Sequence, residues 1–181
     1  MRKIRFLCFV ISLFIFPVNA CAQHFHFVDL YPFSFVMPKS FEQLTEEEMD
    51  VFCGEHPFSK ERGFIDRDAQ ELMAFFLLET TNEIADLLAT FTTKPDLGNQ
   101  IATHVLLTYV GLEPEVIERA GGCYHAVCSI PSNLMGTYSG TAFFIASVCK
   151  EAILFTVVAA PDFSSAFFLR RAATRIISYR E

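Results

Sequence analysis

The sequence predicts an α+β domain, in which a mostly antiparallel sheet has helices packed on it. Short apolar runs bounded by proline, glycine and charged residues recur along the chain, and such runs are typical of β-strands. The clearest helical patterns, over residues 82–91 and 164–177, are segregated from these runs and do not alternate with them. The apolar runs of the second half follow one another through short turns, so we expect them to pair as antiparallel neighbours.

Residues 1–22 have the layout of a secretory signal peptide. Basic residues at the start precede an apolar stretch over 6–16, which Pro17 ends. This stretch is too short to span the ~30 Å of a bilayer core, which requires ~20 helical residues. The sequence Ala20-Cys21-Ala22 fits the small-residue preference of a cleavage site and would leave Gln23 as the first residue. An uncleaved membrane anchor is the alternative interpretation of the whole stretch.

A second interpretation of the cleavage region is lipidation. Residues 18–21 resemble the lipobox of bacterial lipoproteins, in which the cysteine, here Cys21, is lipidated and becomes the first residue. Asn19 departs from that motif, because small apolar residues are usual at its position. We therefore predict soluble cleavage before Gln23, with a lipid anchor on Cys21 as the alternative. Both layouts resemble bacterial export signals and predict a periplasmic or secreted location.

The remaining residues, 23–181, are predicted to form a single α+β globular domain. Removing Arg2, Lys3 and Arg5 from the 14 basic residues leaves 11 against 21 acidic residues, so this part carries a net charge of −10. Such a charge argues against nucleic acid as a partner, because phosphate backbones require clustered Lys and Arg. No later apolar stretch is long enough to predict a transmembrane span after the signal is removed.

The charge is unevenly distributed along this acidic domain. Acidic residues form a run within 46–50, whereas four arginines lie in the last dozen residues, at Arg170, Arg171, Arg175 and Arg180. The simplest interpretation is two solvated helix faces. The alternative is a docking site for an anionic surface or a partner protein.

The first half predicts strands with one short helix. In order, we predict strands over 25–30 and 33–37, a helix from Thr45 to Gly54, a polar loop over 56–63 and a strand over 71–79. Pro38 ends the second strand, because proline cannot donate to a ladder. Thr45 and Glu48 have the spacing of a capping box. The run over 71–79 also fits a buried helix, and we favour the strand.

The second half predicts a helix, a series of strands and a final helix. In order, we predict a helix capped by Asn82, a turn over 94–98, a strand over 101–110, a short helical turn from Glu113 to Gly121-Gly122, a strand over 123–130, and a hairpin of 140–148 with 152–160. Asp162 or Ser164 is expected to cap the last helix. Its inward residues are predicted to be Phe167, Phe168, Ala172, Ile176 and Ile177.

Three segments together resemble the PsbP-like group, which includes periplasmic lipoproteins of the DcrB type. They are the opening strand with its proline, Phe33-Ser34-Phe35-Val36-Met37-Pro38, the late hairpin around 140–157, and the closing Ile176-Ile177-Ser178. The resemblance covers roughly residues 25–180 and concerns the order of these patterns. It implies a PsbP-like sandwich and an accessory or assembly role. The group has no shared catalytic site, so the resemblance implies no functional residue.

Four cysteines of the predicted domain, Cys53, Cys123, Cys128 and Cys149, are disulfide candidates, because an exported chain meets an oxidising compartment. Cys123 and Cys128 cannot pair within one strand. Five extended steps separate them by about 16 Å, and a disulfide requires Cα atoms within about 7 Å. Their side chains also point to opposite faces. We expect Cys149 to join Cys123 or Cys128, with Cys53 taking the remaining partner; buried free thiols are the alternative.

Histidines provide the weak candidates for a metal site. If Gln23 is the first residue, His24 is the second, which is an arrangement that binds copper, and His26 lies two residues further on the same strand face. The simpler interpretation is a solvated terminus. Zinc at Cys123, His125 and Cys128 is disfavoured, because alternation places Cys128 on the other strand face. We predict no metal ion and no cofactor.

No motif for nucleophilic, nucleotide or zinc-protease chemistry is present in the sequence, so we predict no catalytic residue. The expected function is that of an exported envelope or periplasmic accessory or binding protein without catalytic activity, whose partner is another envelope protein. The alternatives are an envelope enzyme without a local motif, a copper or zinc carrier that uses His24 and His26, and a secreted factor that acts on a host cell. An exposed sheet face or edge is the expected binding surface.

Overall fold

The computed structural model describes residues 25–50, 58–132, 139–176 and 178–179. The predicted signal peptide, Cys21, His24 and Cys53 therefore lie outside the described residues. The strands are β1 Phe25–Leu30, β2 Phe33–Pro38, β3 Glu42–Gln43, β4 Phe58–Asp66, β5 Glu71–Leu78, β6 Val116–Ala120, β7 Cys123–Ser129, β8 Thr141–Val148, β9 Ile153–Ala160 and β10 Ser178–Tyr179. The α-helices are α1 Glu46–Asp50, α2 Asn82–Thr93, α3 Gly98–Val110 and α4 Phe163–Ile176, with a 3₁₀ turn at Pro95–Leu97.

The strands form two antiparallel sheets, which confirms the predicted α+β class. The main sheet has seven strands in the order β3-β4-β5-β9-β8-β7-β6. The small sheet has three, in the order β1-β2-β10. The predicted hairpin is confirmed as β8 and β9, which pair from Thr141↔Ala160 to Val148↔Ile153. The strand predicted over 71–79 is β5, which lies between β4 and β9.

The main sheet is covered on both faces, so the molecule has three layers. On one face, even residues of β7 and β8 and odd residues of β9 pack with α2 and α3 around Leu106 and Phe155. On the other face, the odd residues of β7 and β8 and the even residues of β9 pack beneath the β1–β2 hairpin and α4, around Phe35 and Phe75. The rings of Phe35 and Phe75 stack with centroids 3.9 Å apart. The expected exposed face of the main sheet is therefore wrong, because each face carries a layer.

Side-chain hydrogen bonds cap the amino ends of α1, α2 and α4. The caps of α1 and α4 are predicted ones, whereas the cap of α2 is a different residue from the one predicted. Thr45 and Glu48 form the predicted capping box: the Thr45 amide donates to Glu48 Oε2 at 2.9 Å, and the Glu48 amide donates to Thr45 Oγ1 at 3.3 Å. Asp162 caps α4 by accepting from the amides of Ser164 and Ser165. The cap of α2 is Thr81, whose hydroxyl accepts from the Ile84 amide, and Asn82 is the first helical residue.

Three predicted elements are wrong. Residues 101–110 belong to helix α3, whose buried residues Ile101, Ala102, Val105 and Leu106 recur at the helical spacing of three and four. Residues 116–120 form edge strand β6, not a helical turn, because they pair with β7 from Val116↔Val127 to Ala120↔Cys123. Residues 58–66 form strand β4 where a polar loop was expected.

The inward face of α4 also differs from the prediction. The buried positions are Ala166, Leu169, Arg170, Ala173 and Thr174, whereas Phe168 is 73% exposed. Phe167 and Ala172 are half-buried. The side chain of Ile176 and all of Ile177 lie outside the described residues. Large aromatic residues were expected in the core, but α4 turns Ala166, Leu169 and Ala173 toward the sheet.

The start of α3 is held close to the main sheet by a glycine. Gly98 lies against the ring of Tyr124 on β7, and a Cβ at this position would overlap that ring. The Tyr124 hydroxyl donates to the Pro95 carbonyl at 3.1 Å, and this bond holds the 3₁₀ turn against strand β7.

Within the described ranges, none of the helices has the length and apolar character needed to cross a membrane.

Candidate functional site

A cluster of polar side chains lies between α4 and the β6–β7–β8 end of the main sheet. Arg170 of α4 is 8% exposed and forms an ion pair with Glu118 of β6, through one guanidinium nitrogen and Glu118 Oε1. The Thr174 hydroxyl lies 3.5 Å from the other Glu118 oxygen. The guanidinium also lies 4.8 Å from the centroid of the Phe167 ring. Arg170 is therefore held by an opposite charge and by an aromatic face.

His125 and Ser147 form a hydrogen-bonded pair in the same cluster. They are directly opposite each other on β7 and β8, and both are 0% exposed. The Ala120 carbonyl lies 3.1 Å from His125 Nε2. Because a carbonyl can only accept, Nε2 carries the hydrogen, and the Ser147 hydroxyl donates to Nδ1 at 2.8 Å. Burial lowers the pKa of His125, with the Ala120 carbonyl and the Glu118 charge opposing it, so the ring is neutral.

Serine bonded to a neutral imidazole is the arrangement of an activated nucleophile, but here it is closed to solvent. With both side chains fully buried, a substrate carbonyl has no route to Ser147 Oγ. The pair is better explained as internal hydrogen bonding that satisfies two polar groups inside the sheet layer.

Two buried polar atoms of the described residues have no hydrogen-bond partner: Thr156 Oγ1 and Arg170 Nε.

A disulfide borders this cluster. Cys123 of β7 is bonded to Cys149, which directly follows β8, and their Cα atoms are 4.5 Å apart. The sequence predicted that Cys149 pairs with Cys123 or Cys128, and the pairing with Cys123 is confirmed. Because Cys123 and His125 lie on one strand face, the disulfide is next to the His125–Ser147 pair. It joins neighbouring strands at the end of the sheet that carries the cluster.

Cys128 is a free, buried thiol on the opposite face of β7. This agrees with the predicted alternation, which places Cys123 and Cys128 on different faces. Burial raises the pKa of Cys128 to about 11, helped by the nearby Glu115 charge. A thiol in this state is a poor nucleophile and a poor metal ligand at neutral pH. Because this thiol is free, the expected disulfide between Cys128 and Cys53 is not formed.

The β1–β2 hairpin and α4 form one layer on the main sheet, which we call the hairpin–α4 layer. Its outer side carries a set of exposed aromatic residues. Four are at least 59% exposed: Phe27 59%, Tyr31 64%, Phe163 62% and Phe168 73%. Phe163 stacks on Phe167, with ring centroids 5.9 Å apart. Phe168 shares the exposed side of α4 with Arg171 and Arg175, at helical spacings of three and seven. Phe163 is on another side of the helix, since five positions separate it from Phe168, and its ring contacts the buried Phe143 with centroids 6.1 Å apart. We call Phe168, Arg171 and Arg175 the outer surface of α4.

The predicted metal candidates are not assembled in the described residues. His26 lies in β1, but its side chain is not described, and His24 and His56 lie outside the described residues. His104 is exposed on α3. Within the ranges described, no three His, Cys, Asp or Glu side chains are grouped so that they could hold a metal ion. The copper site at His24 and His26 stays a prediction.

Sequence reasoning missed the Glu118–Arg170 pair. No role was predicted for Glu118, because it lies in a segment that was predicted to be a helical turn. Glu115 accepts from the amide and hydroxyl of Ser129, whereas Glu118 faces α4. The pair joins residues that are 52 positions apart. The usable signal was the arginine itself, which stands among the small residues of the buried side of α4.

Fold and site together define an α+β sandwich whose main sheet is crosslinked at one end and whose polar cluster is closed beneath a helix. No protein-family model matches the chain, and no curated protein matches it.

Proposed function

We propose that the chain is an exported accessory protein of the cell envelope that acts by binding and has no catalytic activity of its own. The observation that carries this proposal is the inversion in the hairpin–α4 layer. Ser147 and His125 are 0% exposed and Arg170 is 8% exposed, whereas four aromatic side chains are at least 59% exposed. Large aromatic groups on a surface favour contact with another component, because they gain free energy when they leave water.

Export is supported by two independent features. The n-region, apolar stretch and small-residue site over 1–22 fit a signal peptide. The Cys123–Cys149 disulfide fits an oxidising compartment such as the periplasm, because cytosolic thiols are kept reduced.

The absence of a catalytic role is supported by the location of the reactive groups. His125 and Ser147 are 0% exposed, and the thiol of Cys128 has a pKa of about 11. These are the strongest nucleophile candidates among the described residues, and neither can meet a substrate in this fold.

Intact mass of the protein from its host, with and without reduction, tests the export part. We expect a species that begins at Gln23, or at an acylated Cys21, and that gains two hydrogens for each disulfide reduced. A chain that retains residues 1–20 and has all its thiols free would contradict export.

A photoreactive benzoylphenylalanine in place of Phe168 tests the binding part in living cells. The matched control replaces Leu107, which is 40% exposed on α3 in the opposite layer. We expect one discrete adduct at position 168 and none at position 107, with its mass distinguishing a lipid from a protein. Equal or absent labelling at both positions would contradict binding through the hairpin–α4 layer.

A further inference from the structure

We propose that the outer surface of α4 binds an anionic phospholipid membrane, with Phe168 entering the interface and Arg171 and Arg175 contacting lipid phosphates. This deepens the proposed function, since it rests on an exported binding protein and names the surface that the protein binds.

The aromatic part of the argument is the exposure of Phe168 in the middle of α4. Its side chain is 73% exposed, the largest exposed fraction among the exposed large hydrophobic residues of the described ranges. The ring carries no polar group that could benefit from water. At a membrane interface it would transfer to the boundary between headgroups and acyl chains, where apolar area is stabilised.

The charge part of the argument is a local reversal of sign. The whole chain has a net charge of −7, yet α4 contains three arginines and no acidic residue. Glu118 neutralises Arg170 on the inner side. Arg171 and Arg175 are exposed, and neither has an ion-pair partner among the residues that the structure describes. The outer surface of α4 is therefore positive, which complements an anionic membrane.

The geometry allows these groups to act together. The inner side of α4 packs on β8 and β9 through Ala166, Leu169 and Ala173, so the helix lies flat on the protein. Its axis would be parallel to a membrane placed against its outer surface, and guanidinium groups three and seven positions from Phe168 would reach the headgroups. Arg171 already lies 6.0 Å from the Phe167 ring centroid, so charged and aromatic groups are interleaved.

The position of the amino end is consistent with this orientation. Strand β1 belongs to the same layer as α4 and begins at Phe25, four residues after Cys21. Four extended residues reach at most about 14 Å. The alternative lipid anchor on Cys21 would therefore hold this layer, and not the α2–α3 layer, next to the membrane.

A single tryptophan reports this binding directly, because the chain contains no tryptophan of its own. Phe168→Trp places the reporter in the outer surface of α4, and Leu107→Trp is the matched control on α3. The full chain is produced with its own leader and mixed with vesicles of phosphatidylglycerol and phosphatidylcholine, or of phosphatidylcholine alone. We expect the emission of Phe168→Trp to shift to shorter wavelength with the anionic vesicles only. Leu107→Trp should not shift.

Charge removal tests the arginines in the Phe168→Trp background. Arg171→Gln with Arg175→Gln should weaken binding to anionic vesicles about thirtyfold, since each arginine near such a surface contributes roughly fivefold. Lys94 ends α2, and Lys150 lies in the β8–β9 turn beside Thr92 of α2. Lys94→Gln with Lys150→Gln therefore removes two charges outside α4 and should leave binding unchanged. Salt at 0.5 M should also weaken the binding of the Phe168→Trp protein in which Arg171 and Arg175 are retained.

Two outcomes overturn the proposal. One is an unchanged Phe168→Trp emission in the presence of anionic vesicles. The other is an emission that shifts with protein concentration and not with lipid, which would assign the outer surface of α4 to a second copy of the chain. Either outcome leaves the intact-mass result untouched, so this inference and the export of the protein can fail separately.

Discussion

The two layers that cover the main sheet differ in which side chains they bury and which they expose. The α2–α3 layer buries apolar side chains such as Leu88 and Leu106. The hairpin–α4 layer encloses an ion pair, a histidine–serine pair and a disulfide, and exposes four aromatic rings. Both layers cover the same sheet. Packing on that sheet therefore does not by itself explain why the hairpin–α4 layer encloses polar groups and exposes aromatic rings. The comparison teaches that the residues of α4 divide into two groups: the inner polar residues have partners within the protein, whereas the outer residues, which the proposal above assigns to binding, contribute little to the core.

The ion pair offers the largest test of this comparison. Glu118→Gln leaves the Arg170 guanidinium buried without its counter-charge, and we expect a loss of about 3 kcal/mol in the free energy of unfolding. Urea denaturation measures it. Arg67→Gln is the control, because Arg67 is paired with Glu42 and Glu48 on the surface, and its loss should be much smaller.

A second variant separates charge burial from simple loss of packing. Glu118→Leu combined with Arg170→Met removes both charges and should recover most of the stability. Equal losses for Glu118→Gln and Arg67→Gln would mean that the inner pair behaves like a surface pair.

The disulfide is the next largest effect. It closes a loop with a sequence separation of 26 residues, and a loop of this length is stabilised by about 3 kcal/mol in the chain-entropy treatment. Reductant should therefore lower the urea midpoint of the native protein. The matched control, Cys123→Ala with Cys149→Ala, should be insensitive to reductant. A native midpoint that reductant does not move would show that the crosslink contributes no stability to this layer.

Acid should weaken the hairpin–α4 layer through His125. Burial lowers the pKa of this ring, so between that value and the unfolded value of about 6.5 the unfolded chain binds more protons. The stabilisation is complete above pH 6.5 and is lost as the pH falls below it, with a slope of at most about 1.4 kcal/mol per pH unit.

Urea unfolding at pH 7.5 and pH 5.5 measures this dependence. His125→Gln should flatten it, whereas His104→Gln should not, because His104 is exposed on α3 in the other layer. Identical pH profiles for His125→Gln and the native protein would remove His125 as the cause.

The smallest effect on stability is expected at the most exposed ring. Phe168→Ala should change the free energy of unfolding by less than about 0.5 kcal/mol, because this side chain contributes little to the core. Its neighbour Leu169 is 5% exposed, so Leu169→Ala should cost about 3 kcal/mol. Similar losses for the two variants, measured by urea denaturation, would show that Phe168 is structural.

Local patterns predicted those parts of the fold that depend on near neighbours. The Thr45–Glu48 capping box, the β8–β9 hairpin and the side-chain alternation at Cys123 and Cys128 are each decided within a few residues, and each is confirmed. The partner of Cys149 was narrowed to two cysteines by the same alternation. Its final choice depends on the register between β7 and β8, which places Cys123 at the disulfide.

The errors occurred where distant packing decides. Residues 101–110 are apolar enough for a buried strand, and their contact with β7 and β8 shows which of them are buried, at the spacing of a helix. Strand β6 exists because β7 provides a partner. The Glu118–Arg170 pair and the exposure of Phe168 depend on how α4 is rotated against the sheet, a quantity that no local pattern contains. The candidate site therefore could not be predicted, although the arginines were noticed.

The small sheet joins the two ends of the described chain, because β2 pairs with Ser178 and Tyr179 of β10. A chain that crosses a membrane amino end first delivers β2 long before α4 and β10 arrive. During that interval Phe33 and Phe35, which are buried in the finished fold, have no cover. If the chain is exported as proposed, its folding is therefore completed only when nearly the whole chain has crossed. A chaperone that holds apolar segments on the far side would find its substrate in residues 33–37.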